Sequence, residues 1–365
     1  MSAVNFTEGG PFTVLRDCLT TASDCLSNEW EIIALVHDRR LFDLPRVQFI
    51  EFPQAKRSWL KRLYLEFWQF NTLSRQIKPD VWLSLHDISP LINVPRQIVY
   101  CHNPSPFYQP RLIDIWWEPS FVLMTLFYKY LYRLNIHAND LIVVQQDWIR
   151  RTFQTLYHVN NVVVAQPVVI DLDQNIKNIQ GKAGVFVYPA LPRVFKNFEV
   201  LCEAAKLLYQ QVGNTFEVRL TLSGSESRYA GYLKAHYGEI PVIRFIGRQT
   251  TEQMAINYQE AMALVFPSRV ETWGLPISEA KSYGKPIIIA DLPYAHESVG
   301  NYDKAVFFDP LDSKQLAETM WNVMQGTHEY AIHTQAKIPK PFASNWEILM
   351  RMVVDGIQCN KGSKL

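Results

Sequence analysis

Short apolar runs alternate with segments of helical periodicity from one end of the chain to the other. Strands are expected at residues 2–6, 31–37, 47–52, 81–86, 97–101, 140–145 and 162–165. A more regular second series follows at 185–189, 218–223, 242–246, 263–267, 286–290 and 305–309. Strands that alternate with helices build parallel sheets with helices on both faces. At 365 residues the chain exceeds a single ordinary core, so two α/β, Rossmann-like domains are expected. The boundaries read as 1–166, a polar linker at 167–182, and 183–342. A terminal helix around SNWEILMRMVVDGI then opens a segment at 343–365 and is expected to cross back to the first domain, followed by a tail.

Composition narrows the function. Hydrophobic residues make up 48% and charged residues 19%, as in a folded globular chain. A formal net charge of +1 and the lack of any zinc-finger or RNA-module motif exclude a dedicated nucleic-acid binder. Cys18, Cys25, Cys101, Cys202 and Cys359 are odd in number and form no CxxC pair. They fit a reducing, cytoplasmic setting rather than a disulfide framework or structural zinc. No signal peptide is read at the N-terminus. The longest apolar stretch, FVLMTLFYKYLYRL, carries Lys129 and Arg133 and is too short to span a bilayer.

Open parallel sheets bind ligands at the carboxyl ends of their strands. FPSRVETWGLPISEAKSYGKPIIIA lies at such an end. Pro276 suits a first helical turn, and Gly284 suits the helix end. Gly274 removes a side chain where a ligand could approach the backbone. Free N–H groups at the helix start, around Leu275–Ile277, favour an anion such as phosphate. Glu271 in the loop and Glu279 in the first helical turn could then accept hydrogen bonds from sugar and ribose hydroxyls. The structural alternative is a solvated Glu271 and a Glu279 that complements the helix dipole.

ETWGLPISE, with seven residues between its glutamates, resembles the signature of glycosyltransferase family 4. These are retaining enzymes with the GT-B fold, two Rossmann-like domains facing across a cleft. The resemblance covers nearly the whole chain, most closely in its second half. It implies that Glu271 contacts the donor sugar and Glu279 the nucleotide ribose. The backbone around Trp273, Gly274, Leu275 and Pro276 would face the sugar and diphosphate. It further implies roles for Arg193 and Lys196 of PRVFKN, where an Arg and a Lys serve the leaving diphosphate, with Asn197 beside them. Fixed cations there lower the barrier to departure of the diphosphate. His102, in CHNPSPFY, would stand near the donor sugar. Gly224 of LSGSE, with Gly247 and Arg248 of IGRQ, resemble nucleotide-binding turns, though ordinary tight turns read equally well. Gly9 and Gly10 match a Gly-Gly loop that approaches the diphosphate and the acceptor. Relatives carry several apolar residues upstream of that loop, so either the first strand is short or the chain continues ahead of Met1.

The implied activity is metal-independent transfer of a hexose or deoxyhexose, with no cofactor, by front-face displacement. The donor is a nucleotide-diphosphate sugar, GDP- or UDP-linked. HNPSPFY resembles bacterial O-antigen and envelope-polysaccharide transferases. That implies a glycan acceptor, lipid-linked, at the inner face of the cytoplasmic membrane. The rivals are a GT-B nucleotide-sugar epimerase and a non-catalytic sugar-binding scaffold.

Other features carry less. Asp171–Asp173 imitate a DxD metal motif but lie in the linker. His86, at a strand end, reads as functional or structural alike. QAKRSWLKRLYLEFWQFNTL puts Trp59, Leu60, Leu63, Phe67 and Phe70 on one face, with Lys56, Arg57, Lys61 and Arg62 mainly elsewhere. It reads as a helix packed on its domain, or as one lying on an anionic membrane. IDIWWEPSFVLMTLFYKYLY reads as buried core, or again as a lipid contact.

Overall fold

The computed structural model describes residues 1–7, 9–55, 58–167, 181–330 and 337–361. Lys56, Arg57 and the Asp171–Asp173 motif lie outside the described residues. The chain divides into two compact units. The first comprises Met1–Asn103, Phe127–Val168 and Ile338–Leu365, and the second Pro104–Leu126 and Val169–Lys337.

The second unit contains six parallel strands, β7 (Val185–Tyr188), β8 (Glu217–Leu220), β9 (Ile243–Phe245), β10 (Ala263–Phe266), β11 (Ile287–Ala290) and β12 (Ala305–Phe308). Their spatial order is β12-β11-β10-β7-β8-β9, the doubly wound order of a dinucleotide-binding sheet. The order reverses between β7 and β10, which pair through Ala263 with Phe186 and Leu264 with Val187. Every residue of β7, β10 and β11 is buried, as expected of strands covered on both faces. The helix Phe198–Val212 shows why these segments dock. Phe198, Leu201, Cys202, Ala205 and Leu208 recur at helical spacing and are all buried.

The first unit carries β1 (Ile32–Val36), β2 (Val47–Glu51), β3 (Val81–Ser84), β4 (Arg96–Cys101), β5 (Leu141–Val144), β6 (Val162–Ala165) and β13 (Phe342–Ala343). Five run in the order β13-β6-β5-β4-β3, and β1 pairs with β2 beside them. Leu349, Met350, Val353 and Val354 of the terminal helix Trp346–Lys361 share this core with Val14, Leu15, Cys18 and Leu19 of the helix Gly9–Cys25.

Three expectations need correction. The first strand shrinks to single bridges from Ser2 to Leu35 and Ser84. The amide of Phe6 donates back to Ala3 O at 3.2 Å, so the chain turns instead of extending. The basic segment is no uniform helix. Trp59–Tyr64 and Phe70–Ile77 are joined by a π turn at Leu65–Gln69, which buries Glu66. Arg62 also turns inward and donates to His86 O at 2.7 Å. Finally, the aromatic stretch is not core throughout: Leu112 is 88% exposed, Trp116 59% and Phe127 63%.

Leu349→Ala removes a fully buried side chain between two helices. It is expected to cost the first unit about 2–5 kcal/mol, measurable by urea unfolding followed through tryptophan fluorescence, with Trp346 buried in the same core.

Candidate active site

Lys196 follows β7 and Glu271 follows β10, so the point where strand order reverses brings them together. Lys196 Nζ is ion-paired with Glu271 Oε1, both largely buried. Three links between the two loops hold this pair. Tyr188, the last residue of β7, donates its hydroxyl to Lys196 O at 2.7 Å and lies 3.0 Å from Ser268 Oγ. The Arg269 amide donates to Phe195 O at 2.8 Å. Asn197, left-handed at φ 56°, sends its side-chain amide to Pro267 O at 3.2 Å and Pro310 O at 2.8 Å. Asn197 is 1% exposed, so its side chain braces the loops rather than facing solvent. Lys196 Nζ also lies over the Phe195 and Phe266 rings, 5.3 and 5.7 Å from their centroids.

The turn after Glu271 is built around Gly274, at φ 80°. A Cβ there would meet Ile277 Cδ1 at 2.7 Å, in a backbone conformation that side chains rarely adopt. The helix Leu275–Ser282 starts directly after it, with Pro276 in its first turn. Trp273 is buried and donates its indole N–H to Ser278 Oγ at 2.9 Å, while its carbonyl accepts from the Ser298 hydroxyl. The side chain of Trp273 therefore fastens the turn from within.

Glu279 is the fifth residue of that helix, one turn later than the sequence suggested, and no acidic residue occupies the first turn. The dipole alternative loses its footing, because that effect fades beyond the first turn. Tyr258 donates its hydroxyl to Glu279 Oε2 at 2.6 Å. The residue as a whole is exposed, yet its carboxyl group is surrounded closely enough that desolvation raises its pKa. The Tyr258 hydrogen bond acts in the opposite direction.

Arg193 is 52% exposed in its side chain and pairs with Glu118 Oε1 at 2.9 Å; the other carboxylate oxygen of Glu118 accepts from Val194 N at 2.8 Å. Glu118 belongs to the segment Pro104–Leu126, whose Arg111 is likewise ion-paired with Glu199. Gly224 and Gly247 have φ 99° and 70° in the turns after β8 and β9, and Arg248 is exposed. The amides of Ser223 and Gly224 converge on the Glu226 carboxylate at 2.5 and 2.9 Å.

His102 follows β4 in the first unit, and Gly9 and Gly10 open the helix Gly9–Cys25. Sequence reasoning passed over Asp87, which organises this region. It is buried and left-handed, at φ 72°. Its Oδ1 accepts from His102 N at 2.7 Å, Asn103 N at 3.1 Å and Tyr132 Oη at 3.0 Å. Burial lowers the His102 pKa, while the Asp87 charge works to raise it. His86 is fully buried, its Nδ1 2.9 Å from the equally buried Glu66 Oε1. The dipeptide HD at a strand end was the available signal for Asp87. Tyr258 and Glu118 carried none, since their partners lie far off in sequence.

Residues 169–337 match the family model described as glycosyl transferases group 1. That match spans less than half of the chain, and the fold of the chain is GT-B. An O-antigen chain mannosyltransferase of Salmonella typhimurium is 32% identical over 83 residues, 23% of this chain and 23% of that relative. The chain thus matches under a quarter of that relative's length. The structure of WaaG, a glycosyltransferase involved in lipopolysaccharide biosynthesis, superposes with TM-score 0.65 at 12% identity, covering 89% of this chain and 90% of that one. Anabaena Alr3699/HepE, solved in complex with UDP and glucose, gives TM-score 0.59 at 14% identity, covering 100% and 98%. At these identities the likeness to solved structures concerns the fold.

Gly274→Ala is expected to destabilise the second unit by about 1–3 kcal/mol, through left-handed strain and the clash with Ile277. Thermal unfolding checks it: an unchanged melting temperature would show that the turn relaxes freely.

Proposed function

We propose that the chain is a retaining glycosyltransferase. It moves a hexose or deoxyhexose from a GDP- or UDP-linked donor to a lipid-linked glycan acceptor in the synthesis of bacterial surface polysaccharide of the O-antigen kind. The observation that carries this reading is the Lys196–Glu271 pair at the point where strand order reverses, beside a glycine turn that opens a helix. Open parallel sheets bind nucleotides at this point. The group 1 family match over residues 169–337 supports the reading, as does the mannosyltransferase likeness.

In this proposal Lys196 is the principal cation for the departing diphosphate. Arg193 stands beside it, oriented by Glu118. At the helix start, Leu275–Ile277, the Leu275 amide donates to the phosphate oxygens, since Pro276 has no N–H and the Ile277 amide bonds Gly274 O at 2.9 Å, and Gly274 lets the backbone come close. Glu279, held by Tyr258, takes the ribose hydroxyls, and Glu271 takes the sugar. Asn197 and Trp273 act by bracing these groups. Gly224, Gly247 and Arg248 serve the nucleotide end. His102, Gly9 and Gly10 contribute from the first unit. Residues 1–166 select the acceptor and residues 183–342 hold the donor.

Without donor, Glu271 neutralises Lys196. A diphosphate competes for the lysine, and Glu271 is then free to accept sugar hydroxyls. Glu271→Gln is therefore expected to lower transfer about 10²-fold or more while leaving nucleoside diphosphate affinity within about threefold. Lys196→Ala should lose both. Steady-state kinetics with GDP and UDP titrations checks this. An equal loss of diphosphate affinity in Glu271→Gln would contradict the division of roles.

Membrane contact at the inner face of the cytoplasmic membrane is part of the proposal. Among the described residues no helix is long and apolar enough to cross a membrane. The helix Pro119–Arg133 instead exposes Leu123, Leu126, Phe127 and Tyr130, with the exposed cations Lys129 and Arg133 beside them. An apolar face edged by cations suits the interface of an anionic bilayer. The intact chain is expected to sediment with vesicles containing phosphatidylglycerol, and less with phosphatidylcholine alone. Phe127→Asp should weaken sedimentation without changing the fold, and equal sedimentation of the variant would contradict this contact.

A further inference from the structure

The segment Pro104–Leu126 lies between β4 and β5 in sequence, within the stretch expected to select the acceptor, yet it packs as part of the second unit. It is held first by a clasp of its own. Asp114 is fully buried. Its carboxylate accepts from the Tyr108 hydroxyl and the Arg111 amide, both at 2.7 Å, and from the Arg111 guanidinium at 3.0 Å. That clasp opens the helix Leu112–Trp117, which ends where the Glu118 amide donates to Asp114 O at 2.8 Å. One buried carboxylate thus fixes the segment into a single shape that presents Tyr108, Arg111, Glu118 and Phe121 as a set.

Each member of the set meets a loop or helix of the donor corner. Both oxygens of Glu118 are used, Oε1 by Arg193 Nη1 at 2.9 Å and Oε2 by Val194 N at 2.8 Å. Arg111 is ion-paired with Glu199, in the first turn of the helix Phe198–Val212. Phe121 stacks on Phe195 with centroids 5.3 Å apart, and Phe195 is one of the rings beneath Lys196 Nζ. The Tyr108 hydroxyl accepts from Arg269 Nη1 at 2.9 Å, on the loop that carries Glu271. The contacts therefore reach the loops after both β7 and β10.

Glu118 is the member that touches a cation of the site, and it is poorly placed to let go of it. Its side chain is 8% exposed. Releasing Arg193 would leave a buried carboxylate short of a partner, which is costly. Arg193 is under no such constraint. A guanidinium carries its N–H donors in a fork, Glu118 engages Nη1, and the arginine side chain is 52% exposed. Arg193 can thus meet a phosphate oxygen while Glu118 still holds it. An untethered arginine would lose rotamer freedom on meeting the same oxygen, and that ordering counts against binding.

We propose that Pro104–Leu126 is a strap of the donor site and Glu118 its positioning residue. Glu118 presents Arg193 to the donor diphosphate before the nucleotide arrives and stays bonded to it afterwards. The inference rests on the reading of Arg193 as a diphosphate cation, and it deepens that reading: donor affinity depends on residues from the acceptor half of the sequence.

The test is a double-mutant cycle on the full chain, with Glu118→Ala, Arg193→Ala and the two combined. Affinity for GDP and for UDP is measured by titration calorimetry, which needs no acceptor. Each single variant should weaken binding of the nucleotide that the unaltered chain takes by about tenfold. The double variant should be no weaker than Arg193→Ala, because Glu118 acts through the arginine. Losses that multiply in the double variant would overturn the proposal, since Glu118 would then act apart from Arg193, as a general brace of the unit would. Unchanged binding in Glu118→Ala would overturn it too. So would tighter binding, which would make Glu118 a competitor for Arg193. Glu118→Gln keeps the side chain's size and gives the same cycle should Glu118→Ala fail to fold. An unaltered chain that binds neither nucleotide would refute the donor-site reading itself, and the strap's role with it.

Discussion

A lysine and a glutamate held at the carboxyl ends of two adjacent parallel strands organise the second unit. β7 and β10 are neighbours in space but far apart in sequence, and the chain winds away from them in opposite directions. The loops after both strands lie where those directions diverge, the place at which open parallel sheets bind ligands. The Lys196–Glu271 pair is what those loops bring to it. Its position depends on hydrogen bonds that tie one loop to the other: Tyr188 with Ser268, Asn197 with Pro267 O, and the Arg269 amide with Phe195 O. These hydrogen bonds hold the cation and the anion oriented toward each other. In the proposed function the pair exchanges its internal partner for a diphosphate on one side and a sugar on the other.

The first unit solves a similar problem differently. Asp87 adopts a left-handed conformation and collects His102, Asn103 and Tyr132 on a single carboxylate oxygen. Left-handed backbone at a non-glycine residue is costly unless its surroundings enforce it, and here several hydrogen bonds do. Close by, the π turn at Leu65–Gln69 buries Glu66 against His86, and Arg62 caps the His86 carbonyl. Arg62, Glu66, His86 and Asp87 thus gather as buried polar residues near the strand ends of β3 and β4, where His102 begins its loop.

Much of this was legible in the sequence. Strand positions followed from apolar runs, because parallel strands covered on both faces are rich in apolar residues. Val162–Ala165 was expected as observed, and most others differ by a residue or two at their ends. The turn at Gly274 could be read because glycine, proline and a following strand leave few local alternatives. Contacts between distant segments could not be read. Glu118 meeting Arg193, Tyr258 meeting Glu279, and Arg62 turning inward each join residues from separate elements, and no periodicity encodes such meetings. The first strand misled for a related reason. The short apolar run at 2–6 reads as extended chain, but only Met1–Ala3 join the ladder to β1 and β3 before the chain turns. The outer faces of Leu112–Trp117 and Pro119–Arg133 misled through composition, because an apolar helix reads the same whether protein or another medium covers it.

The central claim is that the Lys196–Glu271 corner and the Gly274 turn hold a nucleotide-diphosphate sugar. A crystal structure of the full chain with GDP or UDP bound tests this most directly. The account predicts the ribose hydroxyls within hydrogen-bond distance of Glu279. It also places the diphosphate at the amide following Gly274, with Lys196 released from Glu271 to meet it. A nucleotide bound elsewhere in the second unit, with the Lys196–Glu271 pair intact and Glu279 untouched, would contradict it.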